Sequence, residues 1–375
     1  MGSGARAMSQ QLAENPLGTD GFEFVEFTSP EPQTLHRLFE NMGFTAVGRH
    51  RSKNVLHFRQ GDINFILNME PRGQAAEFRG AHGPSINAMA FRVRDAAQAL
   101  RVALERGAKE VRGTIGPMEV NIPAIEGIGG SNLYLVDRYG AHAIYDIDFV
   151  PIAGAQERAR DEAGLRYIDH VTHNVHRGHM KVWADFYERI FNFREIRYFD
   201  IEGKVTGLFS KAMTSPDGKI RIPLNESQDD KSQIEEYLHD YHGEGIQHVA
   251  LGTADIYATV DRMRARGVAF QDTPDTYYEA VNARVAGHGE DLQELRGRRI
   301  LIDGAPTQGQ GLLLQIFTQH VIGPCFFEII QRKGNEGFGE GNFKALFESL
   351  ELDQVRRGVL SLEEQARGAR GAEPS

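Results

Sequence analysis

The sequence predicts an α+β protein built from four βαβββ modules, two in each half of the chain. Three observations indicate this fold. The 375 residues suffice for two domains, both halves show the same order of strand and helix patterns, and corresponding units share their internal spacing. We expect a domain over residues 20–155, a second over residues 165–350, and disordered tails at residues 1–19 and 365–375. Paired modules would curve into one half-open antiparallel barrel per domain, and each module is expected to have its own core.

The first unit of each half combines a strand with an amphipathic helix. Residues 22–27 form the first strand, and residues 168–175 form its counterpart. Apolar residues then recur at intervals of three and four, the spacing of a buried helical face, at Leu35, Leu38, Phe39 and Met42 and again at Met180, Trp183, Tyr187, Ile190 and Phe191. Gly43 and Asn192 follow the two helices at corresponding positions.

The second unit of each half matches more closely. Asp95 and Asp255 are candidate N-caps that lie seven residues after the centre of a strand. Gly107 and Gly267 lie twelve residues further on, where they would end the two helices. With two such units per half, the pattern predicts four modules.

Composition limits the class of partner. The chain is 41% hydrophobic and 25% charged, and it contains no apolar run long enough to cross a membrane. Its formal charge of -10 argues against nucleic acid, which binds cationic surfaces. A single cysteine, Cys325, fits a reducing compartment, and the first residues lack the apolar core of a signal peptide. We therefore expect a cytoplasmic protein with a small-molecule partner.

Three strand-like segments each contain a candidate metal ligand. His170, His248 and Glu328 are separated by 78 and 80 residues, so only the fold could bring them together. Two imidazoles and one carboxylate leave coordination positions open and suit ferrous iron in an oxygenase. Zinc is the rival metal, but catalytic zinc with these ligands typically uses a local His-x-x-x-His pair, which the chain lacks. The dispersed ligands favour iron.

Glu328 lies in the apolar segment 325–330, where an isolated charge would be costly, so it must be paired, protonated or bound to a cation. The first half serves as an internal control. There Phe24 takes the place of His170, Ala88 takes that of His248, and Asp146 falls near that of Glu328. We infer that the first half keeps the scaffold and lacks the metal.

Three neighbouring histidines offer an alternative cluster at three-residue spacing: His173, His176 and His179. Side chains alternate faces along a strand, so His170 and His173 point in opposite directions and only one can be a ligand. We expect His170 to be that ligand and the cluster to form a solvated loop.

Four segments resemble the 4-hydroxyphenylpyruvate dioxygenase family. They are residues 168–175, 245–251, 315–317 with 326–332, and 337–347, and the resemblance spans about residues 20–350. It implies the vicinal-oxygen-chelate fold and one ferrous ion per chain, held by His170, His248 and Glu328. It also implies conversion of 4-hydroxyphenylpyruvate and O2 to homogentisate and CO2 in tyrosine and phenylalanine catabolism. Because the substrate is itself an α-keto acid, no external 2-oxoglutarate would be needed.

The resemblance further implies a substrate pocket, a closing helix and an oligomer. Residues 342–352 resemble the helix that closes over the site in this family, and family members form homodimers or homotetramers. The implied pocket residues are polar or aromatic: Ser210, Asn225, Gln233, Gln247, Gln315, Phe317, Phe326, Phe338 and Phe343.

Two other functions remain open on the sequence. A 4-hydroxymandelate synthase would share the fold, the iron and the substrate but hydroxylate the benzylic carbon. Intact Phe317, Phe326 and Phe343 favour the ring-hydroxylating enzyme. A non-enzymatic binding or resistance protein of the same fold would need no metal triad, so the triad favours an enzyme.

Overall fold

A computed structural model describes residues 14–113, 119–158, 162–202, 207–230 and 232–346. Of the expected tails at residues 1–19 and 365–375, residues 1–13 and 365–375 lie outside this part of the chain. Residues 14–19 lie within it, where Leu17 is buried and Asn15 Oδ1 accepts a hydrogen bond from the backbone N–H of Thr19. The end of the expected closing helix also lies outside the described residues: a helix occupies residues 340–346, and the remainder of 342–352 is not described.

The first half contains two modules with the predicted element order. The first module comprises β1 (Thr19–Thr28), α1 (Pro32–Asn41), β2 (Thr45–His50), β3 (Val55–Gln60) and β4 (Ile63–Asn68). Helix α2 (Gln74–His82) leads to the second module: β5 (Ser85–Val93), α3 (Ala96–Glu105), β6 (Glu110–Val111), β7 (Ala124–Glu126) and β8 (Asn132–Val136). The connection to the second half contains α4 (Tyr145–Asp148), β9 (Phe149–Pro151) and α5 (Ala155–Arg158).

The second half repeats this order. The third module comprises β10 (Leu165–Val175), α6 (Met180–Phe191), β11 (Arg194–Glu202), β12 (Gly207–Thr214) and β13 (Arg221–Ser227). Helix α7 (Gln233–Tyr241) leads to the fourth: β14 (Gly245–Thr253), α8 (Ile256–Ala265), α9 (Asp275–Arg284), α10 (Leu292–Arg298), β15 (Leu301–Gly304), β16 (Leu312–Phe317) and β17 (Phe326–Lys333). Helices α9 and α10 are an insertion that the repeat did not predict.

Each half forms one sheet. The strand orders are β6-β7-β8-β5-β1-β4-β3-β2-β9 and β11-β12-β13-β10-β14-β17-β16-β15. Most neighbouring strands are antiparallel, but the first and last strands of every module pair in parallel, as β1 does with β4 and β14 with β17. In each half, the first strands of the two modules pair with each other in the middle of the sheet, β1 with β5 and β10 with β14. This places β10, β14 and β17 side by side.

Local chemistry explains where the predicted helices begin and end. The Asp95 carboxylate accepts a hydrogen bond from the backbone N–H of Gln98, and Asp255 accepts the same bond from Ala258. Gly107 and Gly267 then adopt φ values of +88° and +89°, which favour glycine. Both predicted N-caps and both predicted helix ends are confirmed.

Strand pairing confirms two of the three predicted equivalences between the halves. Phe24 pairs with Ala90 in the first half, and His170 pairs with Ala250 in the second, so Phe24 is equivalent to His170. Ala88 lies two residues before Ala90 as His248 lies two residues before Ala250, so Ala88 is equivalent to His248. The prediction for Asp146 is wrong, because this residue lies in the short helix α4. Tyr134 pairs with Ala90 as Glu328 pairs with Ala250, so a tyrosine takes the place of the carboxylate.

The two halves share one apolar core, so the expectation of a separate core in each module is wrong. The Phe327 ring centroid lies 6.0 Å from that of Phe27 and 5.6 Å from that of Phe65. Phe91 of the first half contacts Phe191 of the second, with 5.4 Å between ring centroids. These contacts join the halves through buried aromatic rings. Within the described residues, none of the helices combines the length and apolar character needed to span a membrane.

Buried His57 predicts that the first half loses stability in acid. Its Nε2 lies 2.8 Å from Asn64 Oδ1, its ring stacks on Tyr145, and burial lowers its pKa to about 4 from 6.5. A lowered histidine pKa stabilises the fold above pH 6.5, and this contribution disappears as the pH falls towards 4. We expect a loss of about 2 kcal/mol in unfolding free energy between pH 7 and 5, measured by urea denaturation. In the His57→Gln variant, position 57 has no titrating side chain, so this contribution to the loss of unfolding free energy should be absent. Equal losses between pH 7 and 5 in the variant and the parent protein would contradict the expectation.

Candidate metal centre

Three adjacent strands bring the predicted metal ligands together. His170 lies on β10, His248 on β14 and Glu328 on β17. Ala250 pairs with His170 on one side and with Glu328 on the other, and His248 lies two residues before Ala250 on the same face. The small side chain of Ala250 thus lies between the ligands. The spacings of 78 and 80 residues between the ligands reflect the length of a module.

The three side chains are buried and close to one another. One ligand atom from each lies within 4.8 Å of the others. Glu328 Oε2 lies 3.2 Å from His170 Nε2 and 3.5 Å from His248 Nε2. Burial alone would raise the pKa of Glu328, but the two histidines lower it to about 2. The carboxylate is therefore ionised.

This donor set fits a divalent metal ion. The second oxygen of Glu328, Oε1, is buried and has no hydrogen-bond partner among the described residues. A buried polar atom without a partner is costly, and a cation would satisfy it. Two imidazole nitrogens and one carboxylate would leave further coordination positions open to other ligands. The sequence predicted that His170, His248 and Glu328 share one site, and the short distances between their ligand atoms agree with that prediction.

Each ligand histidine is oriented by the residue that precedes it. His170 Nδ1 lies 2.9 Å from Asp169 Oδ1, and His248 Nδ1 lies 3.0 Å from Gln247 Oε1. Because both partners accept hydrogen bonds from Nδ1–H, they would leave the Nε2 lone pair of each neutral ring free to bind a metal ion at the centre. Asp169 also pairs with Arg332, whose Nε lies 2.7 Å from Asp169 Oδ2.

Gln247 provides a direct test of this orientation. Gln247→Leu removes the acceptor for His248 Nδ1–H, so we expect divalent metal affinity to fall by about 10- to 100-fold. Equilibrium titration with a metal-competing chelator measures this change. Gln233→Leu is the matched control, because Gln233 is exposed at the first position of α7. Equal metal affinity of Gln247→Leu and the parent protein would contradict the role of Gln247.

Aromatic rings surround the ligands. Phe326 stacks on His248 with ring centroids 4.9 Å apart, and Phe338 meets His170 edge-on at 5.3 Å. Phe317 lies edge-on to Phe326 at 5.9 Å. Three of the four predicted phenylalanines therefore contact the centre or one another, and the fourth, Phe343, lies half-buried in the helix at residues 340–346.

Polar groups continue along the same face of the sheet. Asn225 pairs with Ser210 across β12 and β13, and it is level with Asn174 on β10. Asn174 shares the face of His170, four residues away, and is fully buried. Neither polar atom of its side-chain amide has a partner among the described residues. Sequence reasoning missed Asn174, although strand alternation from His170 could have indicated it.

Gln315 holds the C-terminal segment against this face. Its Oε1 accepts a hydrogen bond from Asn342 Nδ2 at 3.1 Å. Asn342 Oδ1 in turn accepts from the Tyr277 hydroxyl at 2.6 Å and from Arg284 at 3.2 Å. Gln315 thus contacts the helix at residues 340–346. The assignment of Gln315 as a substrate contact stays a prediction, and so does the assignment of Gln233, which is exposed.

The three histidines of the alternative cluster lie in different environments, one buried and two exposed. His173 is fully buried on the opposite face of β10, where its Nε2 lies 2.7 Å from the Tyr187 hydroxyl. The expectation of a solvated loop is therefore wrong for His173, because this residue still belongs to the strand. His176 and His179 are exposed as expected, and His179 Nδ1 lies 2.6 Å from Glu244 Oε1.

Comparison with known proteins identifies the family. A family model described as "Hydroxyphenylpyruvate dioxygenase, HPPD, N-terminal" matches residues 13–150, and one described as "Glyoxalase/Bleomycin resistance protein/Dioxygenase superfamily" matches residues 167–285. The chain is 65% identical to a 4-hydroxyphenylpyruvate dioxygenase of Pseudomonas aeruginosa over 358 residues, which cover 94% of this chain and 99% of the relative. The chain belongs to the 4-hydroxyphenylpyruvate dioxygenase family.

Other relatives extend this family assignment. Hemolysin VllY of Vibrio vulnificus is 64% identical over 353 residues, covering 93% of this chain and 99% of the relative. A solved fusion of a xylose isomerase-like TIM barrel with 4-hydroxyphenylpyruvate dioxygenase has a TM-score of 0.75 and 35% identity, over 89% of this chain and 52% of the fusion. A triple mutant of 4-hydroxymandelate synthase from Streptomyces coelicolor has a TM-score of 0.77 over 90% of this chain and 99% of its own, but at 24% identity it supports the fold alone. The predicted vicinal-oxygen-chelate fold is confirmed.

Proposed function

We propose that the chain is a ferrous-iron dioxygenase that converts 4-hydroxyphenylpyruvate and O2 to homogentisate and CO2. The observation that carries this proposal is the buried group of His170, His248 and Glu328 in a member of the 4-hydroxyphenylpyruvate dioxygenase family. When bound, ferrous iron would supply Lewis acidity towards the carboxylate and keto oxygens of the substrate and the redox chemistry needed to use O2.

The residues of the chain would hold and orient that substrate. The rings of Phe317, Phe326 and Phe338 form apolar walls beside the ligands, which suit an aromatic ring and exclude water. The side chains of Ser210 and Asn225, with the unpartnered Asn174 amide, provide neutral hydrogen-bonding groups on the same face. Such groups can orient the polar substituents of the substrate without competing for the metal.

The C-terminal segment would complete the enclosure. Phe338 faces His170, and the contact between Asn342 and Gln315 fixes the helix that follows. Arg332 donates to the backbone carbonyl oxygens of Asn335 and Gly337, so the connection to this segment is anchored beside the metal ligands. These contacts support a role for the segment in separating the site from solvent.

Metal removal and oxygen consumption test the proposal. The iron-loaded protein should consume one O2 and release one CO2 per 4-hydroxyphenylpyruvate. Chelation should stop both, and ferrous ion should restore both where zinc ion does not. Turnover by the zinc-loaded protein, or a requirement for added 2-oxoglutarate, would contradict the proposal.

We also propose that the chain forms a homodimer or homotetramer, in keeping with the family it resembles. Exposed apolar side chains such as Val150 on β9, at the edge of the first sheet, support a contact through the metal-free half. Light scattering of the purified protein measures its oligomeric state. A monomeric mass at micromolar concentration would contradict the proposed homodimer or homotetramer.

A further inference from the structure

The metal-free half contains a cavity of about 430 Å³ that lies where the catalytic half has its metal centre. Strand pairing defines this correspondence residue by residue. Phe24 and Tyr134, which line the cavity, occupy the register positions of His170 and Glu328. The first half therefore has a cavity at the corresponding place, with aromatic residues at two of the three ligand positions and alanine at the third.

The correspondence extends to the proposed substrate face. Val55 pairs with Asn68 in the first sheet as Ser210 pairs with Asn225 in the second. Ala124 likewise occupies the position of Phe317, since each pairs with the residue at the carboxylate position. Val55, Asn68 and Ala124 all line the cavity. The small Ala124 leaves open a volume that a phenylalanine ring occupies in the catalytic half.

Two buried carboxyl groups line this cavity, Glu26 and Asp148, and each is 6% exposed. Asp148 already pairs with Arg51 at 3.1 Å and accepts a hydrogen bond from the backbone N–H of Val120, so Glu26 is the candidate contact for a guest. Its Oε1 accepts hydrogen bonds from Asn87 Nδ2 at 2.7 Å and Asn68 Nδ2 at 2.9 Å. Among the described residues these bonds leave the other oxygen for a guest. Burial raises the pKa of Glu26, although the two amides and Lys53 oppose the increase. Glu26 can thus present an acceptor when ionised or a donor when protonated.

The remaining lining sets the chemical class of the guest. Aromatic rings of Phe24, Tyr134 and Phe149 and the aliphatic Ile66 favour a flat apolar molecule. Both basic side chains at the cavity are already paired, Lys53 with Glu119 at 2.8 Å and Arg112 with Glu110 at 2.8 Å, so the lining does not demand a charged guest. A hydroxyl group suits Glu26 in either protonation state, because it both donates and accepts. The volume also falls within the range of about 300 to 1,000 Å³ typical of small-molecule sites.

We propose that this cavity is a second, metal-free binding site for a small neutral phenol, whose hydroxyl group bonds Glu26 and whose ring packs against Phe24 and Tyr134. The site lies outside the catalytic half and does not depend on turnover.

Methyl NMR of the full-length, iron-loaded protein tests the site with 4-methylphenol as the probe. Ile66 and Ile144 line the cavity and serve as reporters, whereas Ile316 and Ile329 report on the catalytic half. We expect saturable shifts of the Ile66 and Ile144 methyl signals. The hydrocarbon 1,4-dimethylbenzene has the same ring but can neither donate nor accept a hydrogen bond, and it should bind about tenfold more weakly.

Ala124→Phe is the blocking variant, because it places in the cavity the ring that Phe317 provides in the other half. It should abolish the shifts while turnover of 4-hydroxyphenylpyruvate is retained. If this variant does not fold, Val55→Leu, a smaller intrusion into the same cavity, should weaken binding instead. The proposal is overturned if the Ile66 and Ile144 signals do not move, if the shifts survive in the folded blocking variant, or if the hydrocarbon binds as tightly as the phenol.

Discussion

Replacing Glu328 with alanine is expected to remove the metal and to reduce turnover of 4-hydroxyphenylpyruvate to background. The variant deletes the only carboxylate of the group formed with His170 and His248. Loss of a residue that only orients a ligand typically lowers metal affinity 10- to 100-fold, so loss of a ligand should cost more than about 100-fold. Metal content after dialysis and oxygen consumption measure the two effects.

Asp146→Ala is the matched control for Glu328→Ala. Asp146 is an exposed carboxylate in the first half, away from the three ligand strands, and its removal should leave iron content and turnover unchanged. Retention of stoichiometric iron by Glu328→Ala would contradict the assignment of this ligand. Circular dichroism of both variants should match the parent protein, because removing Glu328 also removes a buried charge without disturbing the shared aromatic core.

Replacing Asp169 with asparagine is expected to destabilise the protein by about 3 to 5 kcal/mol and to weaken iron binding. The Asp169 side chain is fully buried, and that of Arg332 is 9% exposed. Although burial opposes ionisation, Arg332 and His170 hold the pKa of Asp169 well below its ordinary range. The variant leaves the guanidinium buried without its partner and weakens the orientation of His170. Urea denaturation and chelator competition measure stability and iron affinity separately.

Two further variants separate charge from positioning. Asp169→Asn combined with Arg332→Gln removes both charges, so most of the lost stability should return while iron affinity stays low. Asp275→Asn breaks the exposed ion pair with Arg296 and should change stability little. Full recovery of iron affinity in the double variant would show that Asp169 acts only through stability and not through His170.

The sequence predicted those parts of the fold that depend on local chemistry and repetition. The caps at Asp95 and Asp255 are set by side-chain bonds within one helical turn, so a short segment contains the information. The equivalence of Phe24 with His170 followed from matching spacing, since a one-residue slip would move every side chain of a strand to the other face. The ligand triad was predicted on this basis.

Other features could not be predicted because they depend on contacts between distant segments. Tyr134, and not Asp146, occupies the carboxylate position because the chain leaves the sheet after β8 and forms α4. The partnership of Asp169 with Arg332 joins residues 163 positions apart. The unpartnered amide of Asn174 became recognisable only when burial and hydrogen bonding were known together.

Product identification tests the central claim most directly. The iron-loaded protein is incubated with 4-hydroxyphenylpyruvate and ascorbate in air, and the aromatic product is identified by chromatography and mass spectrometry against standards. The proposed function predicts homogentisate, with the side chain moved to the neighbouring ring carbon and a new hydroxyl group on the ring. Accumulation of 4-hydroxymandelate, or recovery of unchanged keto acid from protein that has bound iron, would contradict it.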